Sequence, residues 1–375
     1  LLDKLTIDGK LYAVPNAVFG VFLDMDPITN HDTTWYRADW AEQLGYHFGD
    51  TATFAEFRKY LEDCIANNMS GMDATYGLVG NSDYVNSFFF DSTSVDYDGF
   101  METEDGMVWG PTLEKVPETI KMIRDWYQSG LIYPDYYMLS STDAPEYFYV
   151  GNCAALRKDG PVSAYVATAE GLEENGIDPS VAKPILLTGD DGVVHAQETT
   201  NFNPENDAET MARLCSMIDW LYSEEGILCC QMGVPGVEWD YDAEGKPYYL
   251  DAAIGEDGKV ISQWDRNPSY RIWRQLGMLS DDFNFVSPAY DPALQEQCKH
   301  CYEIKAAGEV LPYNYDYAFY SSEIKNVYSV DIKSGVTEIV IGTGDVDEAW
   351  QKFIDDNRGM WEPLLNELNA EYFGG

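Results

Sequence analysis

The segments Trp35-Tyr36-Arg37-Ala38-Asp39-Trp40-Ala41-Glu42-Gln43-Leu44, Thr53-Phe54-Ala55-Glu56 and Tyr76-Gly77-Leu78-Val79 decide the fold. Trp35–Arg37 reads as a short strand leading into a helix near Asp39–Leu44. Thr53 and Glu56 have the spacing of a capping box, in which each side chain bonds the other's backbone N–H, so a helix opens there and runs to about Asn68. Tyr76–Val79 reads as a second strand. Strands alternating with helices argue for α/β layers.

The same alternation continues outward. Residues 10–25 run apolar and read as strand. Phe88-Phe89-Phe90 is a buried face of either helix or strand. Asp105-Gly106 is a turn before a strand at Met107–Trp109. Val116, Ile120, Ile123 and Tyr127 follow helical spacing until Gly130 stops them. Asn152–Arg157 is a strand. Asn206-x-x-Glu209 opens a long helix carrying Met211, Leu214, Ile218 and Leu221, and Ser223 restarts a helix after it. Asp240 to Ile261 reads as hairpins, with Glu244-Gly245 and Asp257-Gly258 as turns. Asp291-Pro292 opens a helix that ends at Gly308. Asp345-x-x-Glu348 opens the next, and Trp361, Leu364, Leu365 and Leu368 line one face of the last. No fixed-period repeat and no low-complexity linker interrupts the pattern.

A chain of 375 residues is long enough for two domains, each with its own core. Acidic residues outnumber basic ones 65 to 23, a net charge of −42. Nucleic acid and anionic membrane surfaces need Lys and Arg to neutralise phosphate, so both are poor partners. Aromatic residues make up 14%, with 27 Tyr and 10 Trp, side chains that stack on flat apolar faces and carry a polar handle. Seven Cys form no evident disulfide framework in a chain this long. A single Cys298-x-x-Cys301 pair reads as buried thiols, as do Cys229 and Cys230. No apolar run is long enough to span a bilayer, and no signal peptide opens the sequence.

Several phrases, in one order, resemble the extracellular solute-binding proteins of carbohydrate ABC importers, in the lipoprotein branch of Gram-positive bacteria. Leu11-Tyr12-Ala13-Val14-Pro15 is similar to the family's strand that leads to the hinge. Trp35-Tyr36-Arg37-Ala38-Asp39-Trp40 resembles its "YRKDW" element. Residues 118–157, with Trp126, Gly130-Leu131-Ile132, Pro134 and Gly151-Asn152, resemble its next module. Ile218 to Gly226 resembles "lDylYSeEG", and Gly233-Val234-Pro235-Gly236-Val237-Glu238-Trp239 resembles "GvEGvhW". Here Pro235 stands where Glu is usual, and Glu238 replaces His. Ala307 to Pro312, and Ile341-Gly342-Thr343-Gly344 with Trp350 behind it, complete the series.

The resemblance implies an α/β, two-lobe, class II periplasmic-binding-protein-like fold, with the N-terminal lobe lacking its first βα units. Residues 1–80 would supply part of that lobe and 81–310 most of the C-terminal lobe. Residues 311–375 would make the hinge return and C-terminal helices packing across the lobes. Relatives carry further βα units, a signal peptide and a lipid-anchored Cys upstream. The implied function is capture of a neutral oligosaccharide for delivery to ABC permease membrane subunits. The protein would work at the extracellular face of the membrane, or in the periplasm of a Gram-negative cell, and would touch the membrane only through an N-terminal lipid.

A sugar site needs aromatic faces and planar polar groups. By family position the candidates are Asn16 and Phe19 after the first strand, Asn81, Asp83 and Tyr84 after Val79, and Asp159 after the returning strand. Trp239 and Tyr241 lie in the signature hairpin, and Tyr317 and Tyr320 follow Leu311-Pro312. Trp264 and Trp273 are added on chemistry alone. Trp239 is expected to stack on the ligand or to prop the residues that do. Core packing or ordinary surface is the competing reading for every one of these residues.

Two acidic loops, Ser94-x-Asp96-x-Asp98-Gly99 and Asp240-x-Asp242-x-Glu244-Gly245, resemble calcium loops. The first starts with Ser, and neither ends on the Glu that such loops use, so acidic hairpin turns account for them more simply. No catalytic residue and no cofactor is expected. The four His (His31, His47, His195, His300) lack metal-ligand spacing. Gly80-Asn81-Ser82-Asp83-Tyr84 is not a nucleophile elbow, and no P-loop or dinucleotide pattern is present. The competing functions are a secreted carbohydrate-active enzyme with an acidic pair, which would turn an oligosaccharide over, and a glycan-adhesion module.

Overall fold

A computed structural model describes residues 6–7, 10–11, 32–91, 97–188, 195–196, 216, 220, 223–256, 258–261, 266, 288–310, 320 and 322–373. The chain divides into two compact units. The first comprises Leu1–Pro27, Pro161–Val166 and Thr200–Glu303, and the second Ile28–Gly160, Ala167–Thr199 and Ile304–Gly375.

The second unit is built on one five-stranded sheet. Its strands are β1 (Thr33–Arg37), β2 (Thr51–Thr53), β3 (Tyr76–Val79), β4 (Cys153–Lys158) and β5 (Ala182–Thr188), in the order β2-β5-β1-β4-β3. β2 runs parallel to β5 and β3 parallel to β4, while β1 is antiparallel to both of its neighbours. Central β1 is buried at all five positions, as expected of a strand covered on both faces. Trp35 lies between Leu156 and Pro184 in the ladder.

Local chemistry sets the helices around the sheet. α1 (Ala38–Leu44) follows β1 directly and ends at Gly45, whose φ of 85° is the left-handed stop that glycine tolerates. α2 (Phe54–Ala66) carries the complete capping box of Thr53 and Glu56. The Phe run folds as α3 (Ser82–Phe90), with Phe88, Phe89 and Phe90 all buried. A separate hairpin pairs residues 100–103 with 106–109, and α4 (Lys115–Gln128) follows it.

Three C-terminal helices complete this unit: α5 (Ile332–Ile341), α6 (Val346–Asp356) and α7 (Arg358–Tyr372). Arg124 of α4 is buried and donates to the carbonyls of Ile339 and Gly344, which caps the end of α5. A cation at a helix C-terminus is held there by the helix dipole as well as by the bonds. Trp350 donates its indole N–H to the Pro111 carbonyl at 2.9 Å. Asn369 of α7 pairs with Met107 as a strand would, accepting from its N–H at 2.8 Å and donating to its carbonyl at 3.1 Å.

Arg124→Met should cost about 2 kcal/mol of stability, because the buried Ile339 in the last turn of α5 loses the donor to its carbonyl and Met supplies none. Urea unfolding measures this, and a loss below about 0.5 kcal/mol would mean that water caps α5 instead.

In the first unit, Ser223 caps a helix at Glu224–Met232 through Gly226 N–H. A hairpin joins Trp239–Tyr241 to Pro247–Tyr249, and Ile254 bridges Val260 in a second, shorter turn. Pro292–Ala306 forms the helix expected after Asp291, with Cys298 and Cys301 both buried on it. A two-residue ladder pairs Thr6–Ile7 with Lys10–Leu11 in this unit, and another pairs His195–Ala196 with Glu309–Val310 in the second unit. The expected strand over 10–25 beyond Leu11, the helix opened by Asn206, and the loop residues Ser94 and Asp96 lie outside the described residues.

Candidate functional site

Strand polarity brings one set of chain ends together. The carboxyl ends of parallel β3 and β4 emerge on the same edge of the sheet, and antiparallel β1 starts there. In α/β sheets this edge is where ligands bind, because loops and helix N-termini converge on it. Gly80 and Asn81 leave β3, Asp159 and Gly160 leave β4, and Asp32 precedes β1. Gly80 is closely approached, since a Cβ there would lie a tight 3.0 Å from the Arg157 carbonyl oxygen.

Neighbouring β4 residues point to opposite faces. Arg157 faces α3. It donates to Asp91 Oδ2 at 2.5 Å and to the Asp32 carbonyl at 3.2 Å, and lies 3.7 Å from Asp32 Oδ2. Ser87 donates to Asp32 Oδ2 at 2.8 Å, and Lys305 donates to the Asp32 carbonyl at 2.6 Å. Lys158 points the other way, and its ammonium is 3.8 Å from Asp159 Oδ1. Burial lowers the Lys158 pKa, and the Asp159 charge opposes that shift.

Tyr84 reaches back from α3 to the backbone of Asp159. Its phenol pKa is raised, first by burial and then by the charges of Asp159 and Asp32, with the backbone contact to Asp159 and the Arg157 charge acting against this. Asn81 caps α3 by accepting from Tyr84 N–H at 2.9 Å. Asp83 is exposed in the first turn of α3, 3.8 Å from Lys333 Nζ. The edge therefore gathers Asn81, Tyr84 and Asp159, all expected from sequence, with Asp83 exposed beside them. It adds Asp32, Arg157, Lys158 and Lys305, which were not expected. Arg157-Lys158 ending a strand was the available signal for two of the cations. Lys305 and Asp32 join only through the fold.

The other expected residues are placed elsewhere or lie outside the described residues. Trp239 is buried, and its indole N–H donates to the Gly233 carbonyl at 2.8 Å. Tyr241 is exposed and meets Trp239 edge-on at 5.1 Å. Within the hairpin, then, Trp239 is packed inside and Tyr241 lies at the surface. Glu238 pins this loop from within, accepting from Val234 N–H and pairing with buried Arg266, which itself lies over the Tyr249 ring. Gly233 has φ 98°, and a Cβ there would sit 2.0 Å from Glu238 Oε2. Asp242 Oδ1 accepts from Glu244 and Lys246 N–H, so this acidic loop closes on its own backbone. Tyr320 is half-buried against Tyr372 in the second unit. Asn16, Phe19, Trp264, Trp273 and Tyr317 lie outside the described residues.

No family model matches this sequence, and no curated protein matches it. Solved structures do match it. The alginate-binding protein AlgQ2, without calcium ion, aligns with a TM-score of 0.63 at 16% identity, covering 97% of this chain and 75% of that one. The HMO-binding, ABC-transporter-associated solute-binding protein of Bifidobacterium longum infantis aligns at 0.59 and 16%, covering 99% and 76%. The S. pneumoniae ABC-transporter substrate-binding protein FusA, as an EF-hand mutant in complex with fructo-nystose, aligns at 0.59 and 14%, covering 98% and 77%. At such identities the likeness is one of fold. This chain has the periplasmic-binding-protein-like α/β fold of ABC-transporter solute-binding proteins, over nearly its whole length.

Proposed function

We propose that this chain is the substrate-binding component of an ABC importer, capturing a neutral oligosaccharide and delivering it to membrane permease subunits. The observation that carries the sugar-binding part of this reading is the fold shared with structures named for alginate, HMO and fructo-nystose. The uncharged class rests on this chain's own excess of 65 acidic over 23 basic residues, since alginate itself is anionic. The polar edge at the ends of β3 and β4 supplies the planar amide, phenol and carboxylate that sugar hydroxyls require. Binding rather than catalysis is the role that goes with this fold. The mechanism is hinge closure, in which a ligand favours the closed state by its differential affinity for it. The working place would be the extracellular face of a Gram-positive membrane, held by an N-terminal lipid. No helix among the described residues is long and apolar enough to cross a membrane.

A thermal-shift screen against neutral oligosaccharides tests this reading. A ligand at one hundred times its Kd should add about 2.7 kcal/mol of stability. The affinity should change little between low and high salt, because an uncharged ligand releases no counterions. Turnover of the sugar, or binding restricted to anionic ligands with steep salt dependence, would count against it.

A further inference from the structure

We propose that Lys158 and Asp159 act together as a donor–acceptor pair that takes two adjacent hydroxyls of an uncharged sugar, making Lys158 a specificity-determining residue. This rests on the sugar-binding reading above and names the part of the sugar that this edge recognises.

Lys158 is the last residue of β4, at the carboxyl edge of the sheet. Its side chain is only 12% exposed. The nearest carboxylate oxygen, on Asp159, is 3.8 Å away, beyond hydrogen-bonding distance, and the ammonium has no hydrogen-bond acceptor among the described residues. Arg157 next to it, by contrast, is met by Asp91, Asp32, Ser87 and Thr34. A buried ammonium without acceptors is costly, so an oxygen ligand that supplies them gains what water has lost. Asp159 is 41% exposed at its side chain and offers acceptor sites.

The chemistry of the pair selects the ligand. An ammonium only donates and a carboxylate only accepts. A hydroxyl does both, so neighbouring hydroxyls can accept from Lys158 and donate to Asp159 together. A ligand carboxylate can satisfy Lys158 but has no proton for Asp159, and would face the Asp159 charge. The two charges of the pair balance, which matches an uncharged ligand.

The test is calorimetry on the wild type and on Lys158→Met, Lys158→Gln and Asp159→Asn, with maltotriose, kestose, lacto-N-tetraose and trigalacturonate as probes. The wild type should bind at least one of the three neutral sugars. Lys158→Met and Asp159→Asn should each weaken that binding at least tenfold. Lys158→Gln, which keeps a donor, should regain part of the loss. The melting temperature of unliganded Lys158→Met should not fall, since a buried charge has been removed. Variants that bind the neutral sugar within twofold of wild type would overturn the pair while leaving the sugar-binding reading in place. Equal losses in Met and Gln with a lowered melting temperature would assign Lys158 to structure and also overturn it. Preference of the wild type for trigalacturonate, lost in Lys158→Met, would replace the pair with a carboxylate anchor. A wild type that binds none of the four probes removes the sugar-binding reading and this one with it.

Discussion

Arg157→Met should lower the unfolding free energy of the second unit by about 3–5 kcal/mol, the scale of breaking a buried ion pair from one side. Methionine keeps an apolar stem of similar reach, so packing is nearly conserved and the loss isolates the charge. What remains is the reason for its size. Asp32 and Asp91 are about as enclosed as the arginine, with side-chain exposures of 15% and 16% against 8%. Without the guanidinium, both carboxylates stay out of water and lose their compensating charge. Ser87 still donates to Asp32, and Lys305 still reaches the Asp32 carbonyl, so part of the network survives. Adding Asp91→Asn to Arg157→Met should return part of the loss, because one orphaned charge is gone. Urea unfolding of the single and double variants reads both effects. A single-variant loss under about 1 kcal/mol would mean that the carboxylates rehydrate freely, and the edge of the sheet would then be open to water.

The same network marks how far the sequence could be read. Signals complete within four residues were legible. The Thr53–Glu56 box, the Ser223 cap and the Asp345 cap all act at the helix starts they predict. Period-2 patterning found β3 and β4 within a residue or so, but it identifies a strand and not its partner. The order β2-β5-β1-β4-β3, with an antiparallel strand in the middle, had no local signature. Phe88-Phe89-Phe90 could not be assigned because a run buried all round lacks either period. In the candidate site, Asn81, Tyr84 and Asp159 were legible as polar residues just past strand ends. Asn81 also caps α3, a role that its residue type immediately before Ser82 favours locally. Arg157, Asp32, Asp91 and Lys305 meet only through sheet pairing and helix packing, so composition reported an acidic chain where the fold builds a nearly balanced cluster. Trp239 was expected at the ligand or behind it. Its indole N–H bonds the Gly233 carbonyl and its ring is buried in the hairpin, a tertiary placement that residue type alone does not give.

Trp109→Ala is the second large effect expected, a loss of about 4 kcal/mol. Trp109 ends the strand Gly106–Trp109 and is fully buried. Its ring stacks on Trp361 of α7 with centroids 4.9 Å apart and planes 11° from parallel. Its indole N–H donates to the Tyr328 hydroxyl at 2.9 Å, and Tyr328 in turn meets the Phe100 ring edge-on at 5.5 Å. One side chain thus joins the hairpin, the approach to α5 and the last helix, segments far apart in sequence. Alanine removes the buried area, the stack and the donor at once, and leaves a cavity too wide for α7 to close while Asn369 still holds Met107. Trp109→Phe separates the terms: an aromatic face for Trp361 remains, the donor is lost, and the cost should fall to about 2 kcal/mol. Total stabilities are commonly about 5–15 kcal/mol, so the alanine variant should show the transition of this unit at much lower urea concentration. Near-ultraviolet circular dichroism should lose the signal of the stacked indole pair in Ala. If Ala and Phe cost the same, the hydrogen bond to Tyr328 rather than the stack holds α7 to the hairpin. If neither costs more than about 1 kcal/mol, α7 is held by polar contacts such as Asn369 to Met107 and Glu367 to Ser322, and the aromatic junction is filling space that the helices do not need.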